Sequence, residues 1–399
     1  IYNGSVSDCF SDADVGESAD SIGGLVGKLS GTPVTGCRAT GAVSNGFSFL
    51  PPFTGGLIGY AIGGSGIFIE DCHASGDVTQ GTDGGVVGGF TGACAGYTVS
   101  GCSATGDVSG GNETGGFTGR NEGTITDSYA TGSAAAGGSD LNSVCGGFVG
   151  YNGAGAVTKC YAIGDAEGGQ TGGFAGWVCS GSSVSLSYAA GTVTGNYSAG
   201  GFACNVGGSI SDCYSTGDVT GETYAGGFVS NSWSGAAETN CYSVGDADVT
   251  GSSDPGGFVG KNQGSDTNCY WLSGTADAAV GFVESGSTPT AAVELTDDEM
   301  QAAEFVTALN DDRTPGPWIA KSGVNNDYPV LVGVGDGAGE KHTVTFKDGD
   351  DESKTYRVKE ISEGSTVSEP ADPKKDGFKF DGWYDGPSGD EDAEEWDFE

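Results

Sequence analysis

Between residues 1 and 290 the apolar positions fall into two ladders, not into helical stripes. In the first, an aromatic or aliphatic residue follows a glycine pair at Leu25, Leu57, Phe90, Phe117, Phe148, Phe174, Phe202, Phe228 and Phe258. In the second, a small residue recurs at Cys9, Cys37, Cys72, Cys102, Ser128, Cys160, Ser187, Cys213, Cys241 and Cys269. The spacing averages roughly 29 residues, a period that suits a solenoid. Three residues before the small residue stands Val6, Val34, Ile69, Val99, Ile125, Val157, Val184 or Ile210; the last two repeats put Glu238 and Asp266 there instead.

After each small residue the chain alternates. Cys213, Ser215, Gly217 and Val219 share one side, and Tyr214, Thr216 and Asp218 share the other. Alternation with period two marks a strand. The flanking glycines mark turns, where positive φ is tolerated. A repeat of this length without a helix predicts an all-β fold, a right-handed parallel β-helix of about nine or ten rungs. Equivalent Phe and Cys residues would stack inside it, about 4.8 Å apart.

The pattern changes after residue 290. In LTDDEMQAAEFVTALN (295–310), Thr296 and Glu299 have the spacing of a capping box. Ala302, Phe305, Val306 and Leu309 share a helical face, and Asp311 to Pro315 would end the helix. We expect this segment, within 291–335, to cover the open end of the solenoid. The Gly-rich stretch 333–340 then leads to a segment of different composition. The division is 1–290 for the β-helix, 291–335 for the cap, and 336–399 for the linker and a last small domain.

Composition narrows the function. The formal net charge is −39, with Lys+Arg 15 against Asp+Glu 54. Only Lys28, Arg38, Arg120, Lys159, Lys261, Arg313 and Lys321 are basic before residue 341. Nucleic acid and anionic membrane are therefore poor partners. No segment is long and apolar enough for membrane insertion. The acidity suits an exported protein kept soluble by its charge, and the chain starts within a repeat, as a monomeric fragment of a longer protein would.

Candidate chemistry is sparse. His73 takes a slot that later repeats fill with Tyr, which places it on the surface, and His342 starts a strand. Neither belongs to a His-Glu-x-x-His motif or a Ser/His/Asp set. Asp77, Asp107, Asp165, Asp218 and Asp246 line one edge. Neighbouring pairs such as Asp77/Asp107 have a separation near that of a retaining glycosidase. They recur as a consensus slot, however, and a catalytic pair should be an exception to a repeat. We expect no catalytic residue, no metal site and no cofactor. The cysteines of the second ladder read as unpaired small core groups, with Cys179 and Cys204 on neighbouring rungs but out of register.

The pattern GGFVGxN followed by Val-x-x-Cys-Tyr-Ala-x-Gly resembles the GLUG motif of bacterial surface proteins, including regions beside IgA-cleaving metalloproteases. The resemblance runs from residue 1 to about 275. HTVTFKDGD, VSEPADPKKDGFKFDGWYDG and WDFE, within 341–399, are similar to the Listeria–Bacteroides repeat of internalin-like surface proteins. That similarity implies a small β-grasp-like domain with Val344, Phe346, Val358, Val367, Phe380, Trp383 and Trp396 in its core.

Both resemblances imply a secreted or wall-anchored surface protein, non-enzymatic, acting in adhesion or display. The competing class is a β-helix enzyme acting on polysaccharides. The candidate binding residues are Tyr129, Tyr161, Tyr188, Tyr214, Tyr242 and Tyr270, a row of phenols on successive rungs that could engage host glycans or glycoproteins; the alternative is that the rings stack from rung to rung and stabilise the sheet. Tyr384 is a second exposed-aromatic candidate.

Overall fold

The computed structural model describes residues 1, 4–46, 52–81, 84–138, 141–283, 290–335, 341–348 and 351–362, the last two segments by their backbone. They form two compact units, Ile1–Val334 and Gly335–Glu399.

The first unit is a parallel β-solenoid of about nine turns. Its strands collect into a 26-stranded and a 15-stranded sheet, in which each strand pairs with its equivalent one turn on. Inside the tube the first ladder stacks ring on ring. Successive centroids from Phe90 to Phe258 are 4.7 to 5.0 Å apart, near the spacing of neighbouring strands. A second, narrower core fills the 15-stranded sheet, with Val43, Val78 and Val108 against Ile22 and Val87, then Val193 and Val219 against Ala199 and Ala225.

The glycine pairs before each Phe serve a purpose other than the turn expected of them. None of them adopts positive φ. They are required by close approach, because a Cβ on Gly147 would lie 2.1 Å from the Gly173 carbonyl oxygen of the next turn. The left-handed corner lies elsewhere, at the residue before the small ladder residue. Asp8, Asp71, Asp127, Lys159, Leu186, Asp212, Asn240 and Asn268 all have φ between 49° and 54°, and Gly36 and Gly101 fill the same place. Asp, Asn and Gly tolerate this conformation best.

The C-terminal part of this unit departs from expectation. The open end is met by residues before the helix: Ala276, Ala279, Val280 and Ala292 pack against the main core. Strands Val280–Phe282 and Val293–Leu295 add to the last turn in parallel register. Helices α1 (Asp297–Gln301) and α2 (Ala303–Asn310) follow, broken by extended backbone at Ala302. Thr296 caps α1 with Glu299 in a capping box. These helices and the chain to Val334 lie along the flank of the tube. The reason is their apolar content: Met300, Phe305, Leu309, Trp318, Tyr328 and Leu331 need a wide apolar surface, and the tyrosine row supplies it.

In the second unit, Lys341–Asp348 and Asp351–Ser362 form an antiparallel pair. Val367, Phe380, Trp383, Tyr384 and Trp396 lie outside the described residues.

Candidate functional site

The small residues of the second ladder form a hydrogen-bonded file, which goes beyond the packing role expected of them. The left-handed corner turns the next backbone N–H away from the strand ladder. That N–H donates to the side chain of the equivalent residue one turn on: Cys37 N to Cys72 Sγ at 3.3 Å, Cys72 N to Cys102 Sγ at 3.4 Å, and Cys102 N to Ser128 Oγ at 3.1 Å. Each side chain in turn donates to the carbonyl two residues earlier, as Cys72 does to Glu70 O at 3.1 Å. A group that both accepts and donates is needed, so Cys and Ser interchange where Ala does not. All twelve cysteines are free, Cys179 and Cys204 included. Burial raises the thiols of Cys94, Cys145 and Cys204 to about 12, far from the range of reactive thiolates.

Four of the five recurrent aspartates behave alike. Asp77 Oδ1 accepts from Asp107 N at 3.0 Å, Asp107 Oδ1 from Ser133 N at 2.8 Å, Asp165 Oδ1 from Thr192 N at 2.8 Å, and Asp218 Oδ1 from Asp246 N at 3.0 Å. Each carboxylate holds the backbone of the following turn. This accounts for the consensus slot. His73, expected on the surface, is half-buried and shares a 2.7 Å hydrogen bond with Ser103 Oγ.

The tyrosine row exists as a stack. Tyr129, Tyr161, Tyr188, Tyr214, Tyr242 and Tyr270 are register partners on successive strands. Ring centroids from Tyr129 to Tyr242 are 4.9 to 5.1 Å apart. The side chains point away from the tube, as the alternation requires, and stack on one another, but the row is not open along its length. Tyr188, Tyr214 and Tyr242 are buried beneath the C-terminal segment. Trp318 packs on Tyr214 and Tyr242 at 5.9 and 5.6 Å. Phe305 meets Tyr242 and Tyr270 edge-on at 5.6 and 5.0 Å. Tyr242 donates its hydroxyl to Pro329 O at 2.5 Å, and burial pushes its ionisation well up. Arg313 clamps the segment by gripping both Asp212 oxygens, and Trp318 Nε1 donates to Asp212 Oδ1 at 3.2 Å. Tyr129 and Tyr161 are half-exposed, Tyr161 packing against the edge of this cluster.

The one break in the inner Val/Ile slot brings two acids together. Glu238 and Asp266 are register partners inside the tube. Ser232 Oγ donates to Glu238 at 3.0 Å, and Asn262 Nδ2 donates to Asp266 Oδ2 at 2.8 Å. Asp266 Oδ1 is buried without a hydrogen bond of ordinary geometry. Burial, reinforced by the neighbouring Asp266, raises Glu238 well above the usual carboxylate range; burial also raises Asp266. Among the described residues, no three His, Cys, Asp or Glu side chains gather as a metal site would require. Nor is any described helix long and apolar enough to cross a membrane, which says nothing of β-barrels.

Sequence reasoning overlooked a second outward row. Lys28, Tyr60, Ala93, Arg120, Tyr151 and Trp177 are register partners on successive turns. The row was obscure because its residue type changes at every turn.

Comparison with known proteins gives matches to both parts of the chain. Residues 342–399 match the Listeria–Bacteroides repeat domain, and residues 195–220 match the GLUG motif. Halomucin of Haloquadratum walsbyi is 36% identical over 162 residues, covering 37% of this chain. The matched part is 2% of halomucin, so this chain spans a small fraction of that relative. A solved chain from Bacteroides ovatus, named as a candidate immunoglobulin A1 protease, overlaps 79% of this chain and 87% of its own length at 15% identity and TM-score 0.33. The chain thus carries the GLUG motif on its β-solenoid and, later in its sequence, a Listeria–Bacteroides repeat domain.

Proposed function

We propose that this chain is a segment of an extracellular surface protein that serves in adhesion or display and catalyses no reaction. What supports the reading most is the use made of the recurrent polar groups. The aspartate and thiol files, the two sets a repeat could have turned to chemistry, are engaged in joining one turn to the next. A stack held in this way is a stiff spacer whose outer face can vary without cost to the fold. The likeness to part of halomucin, a protein with the name of a mucin, agrees with a surface role. The ligands are glycans or glycoproteins, and no nucleic acid is bound, given the charge of −39.

The test is retention of the full chain on a mucin-coated surface, run beside incubation with pectin, alginate and chitin. Retention without new reducing ends or unsaturated products supports the reading. Product release that Asp107→Asn or Asp218→Asn abolishes would establish the enzyme alternative.

A further inference from the structure

The second outward row has a gap. At the turn of Ala93 both outward residues are alanines, Ala93 and Ala95. The turn before carries Tyr60 and Ile62 in the same places, and the turn after carries Arg120 and Glu122. Two small side chains between pairs of large ones leave a notch one turn deep. It is a cavity of about 70 Å³ lined by Phe53, Tyr60, Ala93, Cys94, Ala95, Arg120 and Glu122.

Its walls differ in chemistry. On one side Phe53 and Tyr60 stack at 4.4 Å, with the Lys28 ammonium 5.3 Å from the Tyr60 ring. On the other, Arg120 is held by Glu113 through Nε and Nη2, and its guanidinium lies 5.2 Å from the Tyr151 ring. Tyr151 in turn meets Trp177 at 6.2 Å. A guanidinium fixed by a carboxylate keeps its Nη1 donors for an outside acceptor. The Glu122 carboxylate supplies acceptors beside it.

We propose that this notch binds one neutral pyranose ring of a glycan, which rests on the proposed adhesive role and names its ligand class. The choice follows from charge. A free anion would meet Glu113 and Glu122, and a free cation would meet Arg120 and Lys28. A neutral polyol satisfies donors and acceptors together, and its C–H face suits the Phe53–Tyr60 wall. The cavity is smaller than one that accommodates benzene, so part of the ring enters and the rest of the glycan lies along the row towards Tyr151 and Trp177. A few placed polar groups beside an aromatic wall is the usual make-up of a small-ligand site.

Saturation-transfer NMR on the full chain, with methyl hexosides, methyl N-acetylhexosaminides and methyl hexuronides as probes, tests the assignment. The neutral probes should give signal, and their dissociation constants from titration of that signal should be at least tenfold lower than those of the hexuronides, about 1.4 kcal/mol. Ala93→Tyr fills the notch with a residue the row already uses, and in a variant whose circular dichroism and melting match those of the unaltered chain the signal should fall at least tenfold. Tyr60→Ala should do the same, and Glu304→Gln, an exposed change on α2, should change nothing. Equal signal from Ala93→Tyr, stronger binding of hexuronides, or no signal from any neutral probe would each overturn the proposal. Mucin retention separates it from the adhesive reading: retention that survives Ala93→Tyr leaves adhesion standing and the notch refuted, whereas loss of retention in the unaltered chain refutes adhesion itself.

Discussion

Glu238 and Asp266 face one another on successive turns inside the tube, in the slot that Val184 and Ile210 fill on the turns before. A proton on Glu238 donated to Asp266 would supply the hydrogen bond that Asp266 Oδ1 otherwise lacks. Two buried like charges would instead oppose each other.

The sign of the pH dependence follows from this. Both groups have raised ionisation in the folded chain, with unfolded values of about 4.3 for Glu and about 3.9 for Asp. Their contribution to stability is complete below pH of about 4 and is lost as pH rises through the folded values. Repulsion among surface carboxylates also weakens the fold at high pH, so a difference is needed. Glu238→Gln should gain in melting temperature relative to the unaltered chain between pH 5 and pH 8. Parallel curves would refute the shared proton.

The thiol file predicts an ordering among substitutions. Cys72→Ala leaves the Cys37 N–H without its acceptor and should cost about 1–3 kcal/mol. Cys72→Ser keeps the acceptor, as Ser128 and Ser187 do at their turns, and should cost less than the alanine change. Chemical denaturation of both variants checks the order. A serine variant as weak as the alanine one would reduce the file to packing.

Phe174 touches Phe148 and Phe202 at 4.8 and 4.9 Å, so Phe174→Ala opens a cavity in the middle of the stack and should cost about 3–5 kcal/mol. Phe305→Ala removes the edge contacts to Tyr242 and Tyr270 and packing within the flank cluster, and leaves the Phe stack untouched. Hydrogen exchange should then rise around residues 240–243 and 268–272 and stay unchanged near Phe90. Coupling in a solenoid is local, and a uniform rise would deny that here.

The solenoid was legible in the sequence because every turn obeys the same packing rule. Phe90 to Phe258 must stack, and Cys9 to Cys269 must fit one corner. The corner's conformation was also on view, since Asp8, Asp71, Asp127, Asp212, Asn240 and Asn268 stand where left-handed backbone is needed; the ladder residue drew attention away from its neighbour. The cover over the tyrosines had no local signal. Trp318 reaches Asp212 across 106 residues, and Tyr242 reaches Pro329 across 87. The hint available was a mismatch of quantity: Phe305, Trp318, Tyr328 and Leu331 are more apolar surface than one solenoid end needs to bury. The Ala93 notch was hidden for the opposite reason, being an absence of side chain in a row without a consensus.

The clamp on the flank makes a further prediction. Arg313→Ala removes the grip on Asp212 and should loosen the cover while leaving the turns below it intact. Trp318 fluorescence should then shift to the red and quench more readily, while exchange in residues 90–126 stays as before. An unchanged Trp318 environment would mean that packing on Tyr214 and Tyr242 holds the segment alone.

Recurrent polar and aromatic files join the turns of the scaffold, and the C-terminal segment takes up the upper tyrosines. Tyrosine nitration of the native chain, read residue by residue by mass spectrometry, tests this most directly. Tyr129 and Tyr161 should be modified, while Tyr188, Tyr214 and Tyr242 stay unmodified until Arg313→Ala or denaturant frees them. Equal modification of all five in the native chain would contradict the account.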